Sequence, residues 1–257
     1  MQPNIVVLLK HIYDENQLKV DQQTGEVSFQ GVPGKLGTFD RNSLETALRI
    51  KQKLGGSVIT LTVGPQEAER SIREGLAMGA DKAVLVKVPN LLELSANAVA
   101  NMMVDQLKEM QPWHILITSE GGADTYTSVL PSIIAQKLNL PLLGFLRSIE
   151  VLEDGTVKGE RSTEKGIIAI SAKLPVVVSV VSEINEPRIP TLLQIMASTK
   201  KEIRTVAPSF EAQADRYFKT LSLSAKSKER KRIIFDGTVQ EIVSKLIDFL
   251  VGEGVLS

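Results

Sequence analysis

The sequence predicts an α/β fold: a doubly wound, mostly parallel, Rossmann-like sheet of the adenine-nucleotide-binding type. An antiparallel addition and a C-terminal arm ending in a helix complete it. Three observations predict this. Four apolar runs of strand length alternate with segments of helical spacing up to residue 118, and such alternation implies parallel strands with helices on both faces. Further on, Asp154-Gly155 sits between alternating segments, a hairpin signal. From Thr205 to Arg232 the chain is charged and lacks a long apolar face, and an amphipathic run follows it.

The elements follow in order. "NIVVLLK" at 4–10 is a continuous apolar run, as suits a strand buried on both faces. "DQQTGEV" at 21–27 carries a Thr-Gly turn and reads as a hairpin excursion. Asp40 is expected to N-cap the first helix, whose apolar positions include Leu44, Ala47 and Leu48 and whose end is Gly55-Gly56. "SVITLTV" at 57–63 is the second strand. Pro65 should start the next helix, with Glu67 and Glu69 in its first turn, Ala68, Ile72 and Leu76 on its buried face, and Gly79 as its stop. "KAVLVKV" at 82–88 is the third strand, a helix runs from about Ser95 to Met110, and "WHILIT" at 113–118 is the fourth strand. "KGIIAISAKLPVVVSVV" adds strand, so the sheet is expected to be completed by an antiparallel portion. "TVQEIVSKLIDFLVGEG" at 238–254 forms the last helix, with Ile242, Leu246, Phe249 and Leu250 on one side.

Composition narrows the function classes. The chain has 257 residues, 43% of them apolar, which is ample for a large core. Thirty basic residues balance thirty acidic ones, so no global field draws it to nucleic acid or an anionic membrane. Cysteine is absent, which removes disulfides, thiolate chemistry and most structural zinc sites. The longest apolar run, "LPVVVSVV" at 174–181, is too short to span a bilayer, and "MQPNIVVLLKH" reads as a strand rather than a signal peptide. A cytoplasmic protein without membrane insertion is expected. The two histidines, His11 and His114, flank strands, and His114 reads as a partly buried or rim imidazole. No metalloprotease helix, nucleophile elbow or P-loop is present, so a hydrolase finds no nucleophile and base here.

In open α/β sheets a ligand sits beyond the carboxyl ends of the strands where the winding reverses. That crevice should lie between strands one and four. The loop after strand four, "TSEGGADTYTSVLP" at 118–131, offers two glycines, several hydroxyls and a proline that starts the next helix, a natural place for a phosphate. Lys10 could face the same crevice. A flexible capping loop is the alternative.

"NEPRIPTLLQIM" at 185–196 combines loop-forming residues with Ile189, Leu192, Leu193, Ile195 and Met196. Two readings stand: a partner-docking loop, or a short helix packing on the protein's own core. Leu192 suits the first, while Ile195 and Met196 suit the second.

Several segments together resemble the β-subunit of electron-transfer flavoprotein, including its nitrogen-fixation and bifurcating relatives. The stretch from Asp14 to Gly56 follows the family's pattern with small gaps, and "EGLAMGADKAVLV" at 74–86 matches its helix-to-strand turn. The most specific match is "KLPVVVSVVSEINEPRIPTLLQIMASTKK" at 173–201. The resemblance implies an α/β domain over 1–204, including a recognition loop at 183–201, and an arm and helix over 205–257 that dock on a partner subunit. It implies electron transfer rather than bond cleavage. The partners would be an FAD-bearing α-subunit, an acyl-CoA or other flavin dehydrogenase, and a quinone-linked acceptor. Pro190, Leu192 and Leu193 would meet the dehydrogenase.

The same resemblance assigns a nucleotide to Leu8, Leu9 and Lys10, to Gly37, Thr38, Phe39 and Asp40, and to Val63 and Gly64. Thr118, Ser119, Glu120, Asp124, Thr125, Thr127, Ser128 and Val129 would complete that site. Phe39 and the loop around Asp14 and Glu15 would approach the FAD held mainly by the α-subunit. The chain departs from the family in its nucleotide loop. Gly37-Thr38 replace an Asn-Pro pair, the loop lacks the family's basic residue and glutamine, and Glu120 adds a negative charge where phosphates would come. These departures favour AMP over a second FAD. They also keep two alternatives open: a free-standing nucleotide-binding module, and a structural subunit whose site has decayed or takes AMP alone.

Overall fold

The computed structural model describes residues 2–21, 23–89, 91, 94–209, 221–222, 224 and 232–256. The chain opens with β1 (Asn4–Leu8), β2 (His11–Tyr13), β3 (Lys19–Val20), β4 (Val27–Ser28) and β5 (Gly34–Leu36), then α1 (Thr38–Leu54). Next come β6 (Ser57–Gly64), α2 (Glu69–Met78), β7 (Lys82–Lys87), α3 (Ala96–Glu109), β8 (Ile115–Ser119), α4 (Leu130–Leu138) and β9 (Leu142–Leu146). The remainder is β10 (Ser148–Val151), β11 (Thr156–Thr163), β12 (Gly166–Lys173), β13 (Val176–Val180), α5 (Leu192–Ser198), β14 (Ile203–Val206) and α6 (Val239–Gly252).

Seven strands form the main sheet in the order β14-β7-β6-β1-β8-β13-β9, and every neighbouring pair is parallel. From β1 the chain winds outward through β6 and β7. It then returns to place β8 on the other side of β1. The winding therefore reverses between β1 and β8, where the sequence reading expects the crevice.

The sheet is covered on both faces because β1 is apolar at every position from Ile5 to Leu8. Ile5 and Val7 enter one core with Leu44 and Leu48 of α1 and Ile72 and Leu76 of α2. Val6 and Leu8 enter the opposite core with Met102 and Leu107 of α3 and Ile134 of α4. Each such side chain, fully buried, contributes about 1.5–3 kcal/mol. Gly79, with φ of 137°, ends α2, and its backbone N–H caps Gly75; Ser95 caps α3 through the Ala98 N–H.

Four details differ from the sequence reading. The antiparallel strands do not complete the main sheet. β10, β11 and β12 form a separate three-stranded sheet, while β13 is buried along its whole length and joins the main sheet in parallel. β9 and β14 extend the sheet at its two edges; Gly144 interrupts the apolar run of β9, and β14 is only four residues long. Pro65 precedes a 3-10 turn at Gln66–Ala68, and α2 starts at Glu69. Asp40 is not the N-cap of α1: Gly37 holds that place, and Asp40 lies in the first turn with its carboxylate turned back to the sheet.

β14 includes Thr205 and Val206, and the rest of the arm expected to Arg232 lies largely outside the described residues. The α6 helix forms as expected, closed by a Thr238–Glu241 capping box, and none of its residues is buried. Among the described residues no helix is long and apolar enough to cross a membrane.

Candidate functional site

At the switch point the carboxyl end of β1, the first turn of α1 and the end of β8 meet on one side chain, Asp40. Its Oδ2 accepts the Lys10 backbone N–H at 2.9 Å, and its Oδ1 accepts the Ser119 hydroxyl at 2.7 Å. Gly37 sits directly against this carboxylate, where a Cβ would collide with Asp40 Oδ2. Its backbone N–H donates to the Lys10 carbonyl at 3.0 Å. Burial pushes the Asp40 carboxyl up to about 6, against the opposing pull of Ser119 and Lys10.

Lys10 reaches from the end of β1 to the loop after β8. Its ammonium lies 2.7 Å from Asp124 Oδ1 and 3.5 Å from the Thr125 hydroxyl. Glu120 is buried. It accepts the Ser182 backbone N–H at 3.1 Å and the Tyr126 hydroxyl at 2.8 Å. The Tyr126 ring stands edge-on to Phe39, with centroids 5.7 Å apart. Tyr126 and Ser128 both hold the left-handed backbone region, with φ of 45° and 56°, which non-glycine residues visit rarely.

The expected nucleotide residues thus divide into groups. Lys10, Gly37, Asp40, Ser119, Asp124 and Thr125 come together through the contacts above. Phe39 is half-buried and Thr38 exposed beside them. Leu8, Leu9 and Val63 bury their side chains in the cores, so they could offer a ligand backbone atoms only. Gly64 ends β6, one strand further from the switch point. The Thr118 hydroxyl donates to the Ser119 carbonyl at 3.1 Å. Thr127 and Val129 are exposed, with Ser128 between them half-buried. Val129 precedes α4 without a side-chain cap on that helix. His114 is the rim imidazole expected: its Nδ1 accepts the Asn4 N–H at 3.0 Å. His11 pairs with the Ser71 hydroxyl at 2.7 Å, and burial lowers its pKa. Among the described residues no group of His, Asp and Glu is placed to hold a metal ion.

The second site is the apolar loop. α5 begins at Leu192 behind a Thr191–Gln194 capping box. Ile189 is 90% exposed, Leu192 72% and Leu193 78%. Ile195 and Met196 were expected on the protein's own core, yet they are 48% and 60% exposed. The reason is how the helix is held. Arg73 of α2 donates to the carbonyls of Ser198 and Lys201, and the Lys201 ammonium donates to those of Leu76 and Ala80. Backbone and polar contacts attach α5 to the body, so its apolar side chains face outward.

The loop's other end is braced by residues that the sequence reading did not single out. Asn42 Nδ2 donates to the carbonyls of Ser182 and Asn185, and Asn185 Nδ2 donates to the Asn42 carbonyl and the Thr46 hydroxyl. Glu45 binds Arg188 at two points. The signal was present: Asn42, Glu45 and Thr46 recur at helical spacing on one face of α1 and are buried there. A polar stripe on a buried helix face requires polar partners.

The family described as "Electron transfer flavoprotein domain" matches residues 24–211. The electron transfer flavoprotein subunit beta of Thermoanaerobacterium thermosaccharolyticum is 31% identical over 98% of this chain and 100% of its own length. That of Mycobacterium leprae is 36% identical over 78% of this chain and 77% of its own. The caffeyl-CoA reductase-Etf complex subunit CarD of Acetobacterium woodii is 30% identical over 96% of this chain and 97% of its own. The chain belongs to the electron transfer flavoprotein family, among its β-subunits.

Proposed function

We propose that this chain works as the β-subunit of a heterodimeric electron-transfer flavoprotein. It supports FAD held mainly by an α-subunit and docks an acyl-CoA or other flavin dehydrogenase, whose electrons pass on to a quinone-linked acceptor. The observation that carries the reading is the braced apolar loop. A preordered segment with exposed Ile189, Leu192 and Leu193, tied to the body by Glu45–Arg188 and Asn42–Asn185, is built to be covered by another protein. Pro187 and Pro190 reduce the entropy lost when it docks. Pro190, Leu192 and Leu193 make the contact, and Ile195 and Met196 widen it.

FAD, when bound, supplies the centre that accepts and releases electrons. The protein's own residues position and shield. Lys35 holds Asp14 and Glu15 at 2.9 and 2.8 Å, fixing the loop assigned to the flavin side. The exposed α6 helix and the arm dock on the α-subunit; the α/β domain expected to end at 204 runs on through β14 to Val206, because Thr205 and Val206 pair with β7. The switch-point crevice has a donor set that fits one phosphate: the Lys10 ammonium, the Thr125 hydroxyl and the uncapped start of α4. Its carboxylates argue against a larger, more charged ligand, so AMP ranks above a second FAD.

Denaturing the purified native complex and quantifying the released FAD and AMP tests this. One FAD and one AMP per complex are expected. Two FAD would point to a bifurcating complex instead. FAD without AMP would favour a second reading, a structural crevice closed by its own Lys10–Asp124 pair. A lone chain carrying neither would overturn the electron-carrier role.

A further inference from the structure

The cation of the switch-point crevice already holds an anion, and the chain itself supplies it. We propose that Asp124 is a built-in counter-anion for Lys10, standing where a ligand phosphate would bind, so that the crevice takes a phosphate only by exchange and prefers ligands with one phosphate group to polyphosphates. This inference rests on the mononucleotide reading of the crevice above.

Three observations carry it. First, the three carboxylates near the crevice have different commitments. Asp40 is buried on the Lys10 backbone N–H and the Ser119 hydroxyl, and Glu120 on Ser182 and Tyr126. Asp124 is the one that lies on the Lys10 ammonium, at 2.7 Å. Second, that pair is about one-third exposed on each side, 35% and 31%, and ion pairs so open to water are weak enough to exchange. A phosphate dianion brings more charge to the ammonium than a carboxylate does. Third, the loop is shaped for the contact. A Cβ at Gly122 would fall 2.6 Å from Asp124 Oδ1 and 3.1 Å from Lys10 Nζ, so the small residue there leaves room for the pair. Tyr126 and Ser128, in the left-handed region, turn the chain on the far side of Asp124.

The charge balance sets the selectivity. Once a phosphate takes Lys10, Asp124 is displaced but stays tethered nearby, and Asp40 and Glu120 remain below. Each further phosphate adds negative charge facing these carboxylates, which disfavours nucleoside di- and triphosphates. Asp124 therefore acts as a specificity-determining residue rather than as a ligand of the phosphate.

Calorimetric titration of AMP, ADP and ATP into the nucleotide-stripped native complex tests the idea, using wild type, Asp124→Asn and Lys10→Gln. Asp124→Asn should bind AMP about fivefold more tightly, the factor corresponding to one exposed ion pair, and should narrow the gap between AMP and ADP. Lys10→Gln should weaken AMP. Hydrogen exchange without nucleotide should be faster across 121–129 in Asp124→Asn, showing that the loop has lost its tie. Equal AMP affinity in wild type and Asp124→Asn would overturn the counter-anion role and leave the nucleotide reading standing. Failure of both proteins to bind AMP would overturn the nucleotide reading, and this inference with it.

Discussion

Arg188 clasps Glu45 at two points: Nε lies 2.6 Å from Oε2, and Nη2 lies 3.1 Å from Oε1. Glu45 is buried on α1, and burial works to raise its pKa. The guanidinium groups of Arg188 and Arg49 outweigh burial and hold the carboxyl below its ordinary value. One pair thus joins the first helix of the domain to the loop that presents the apolar surface.

Removing the arginine should show what that joint contributes. Arg188→Ala leaves a buried carboxylate short of its main partner, a defect that costs about 3–5 kcal/mol when no other cation helps. Arg49, at 2.8 Å from Oε1, should hold the loss near the lower end. The double variant Glu45→Gln/Arg188→Met should lose less than Arg188→Ala. A depressed carboxylate pKa contributes stability above the unfolded value and loses it as pH falls through the folded one, so the gap between wild type and Arg188→Ala should shrink in acid. Urea unfolding at pH 7 and pH 3 measures both effects; an unchanged midpoint at pH 7 would sink the argument.

Leu192→Ala should separate docking from folding. The side chain is 72% exposed, so thermal stability should move by no more than about 0.5 kcal/mol. Electron transfer from the dehydrogenase should slow, with KM for that partner rising about tenfold or more, as for the loss of a central anchor. Stopped-flow reduction of the complex by the dehydrogenase reads this directly. Kinetics identical to wild type would remove Leu192 from the interface.

Asp40 should make the fold less stable as pH rises. Its carboxyl is raised to about 6 by burial, above the value it has when unfolded. The stability associated with its protonated form is complete below about pH 4 and is lost as pH rises through about 6, on the order of 2–3 kcal/mol in all. Asp40→Asn keeps both hydrogen bonds, accepting from Lys10 and donating to Ser119, and does not titrate. The difference in urea stability between variant and wild type should grow in favour of the variant between pH 4 and pH 7. A difference that does not change with pH would show that Asp40 ionises normally.

Gly56→Ala should be costly. Its φ is 92°, and an added Cβ would collide with the Pro3 carbonyl just before β1. Strain and collision together predict a loss of at least about 1–3 kcal/mol. Circular dichroism melts check it; a melting temperature within a degree of wild type would mean that the turn adapts.

Local pattern was enough for the sheet and for its switch point. An unbroken apolar run such as Ile5 to Leu9 can settle only between two covered faces, and four such runs alternating with helical spacing leave few ways to wind. Gly79 and Ser95 ended and started their helices as read because capping is decided within a few residues. The pairing of strands far apart in the chain was less legible. β10 to β12 separate from the main sheet because their partners are one another.

What the sequence by itself determined is the α/β class, the position of the switch point between β1 and β8, and the presence of an apolar loop near residue 190. Each follows from short-range periodicity or turn chemistry, which act over neighbouring residues. Only the tertiary structure decided where polar side chains ended their search for partners. Asp40 left the helix cap for Lys10 and Ser119, Glu45 found Arg188, Lys10 found Asp124, and Ile195 and Met196 turned outward because Arg73 holds the end of α5 by the Ser198 carbonyl while Lys201 just after it grips the Leu76 and Ala80 carbonyls. A buried polar group must satisfy its hydrogen bonds with whatever the fold brings near, and that neighbour can be more than a hundred residues away.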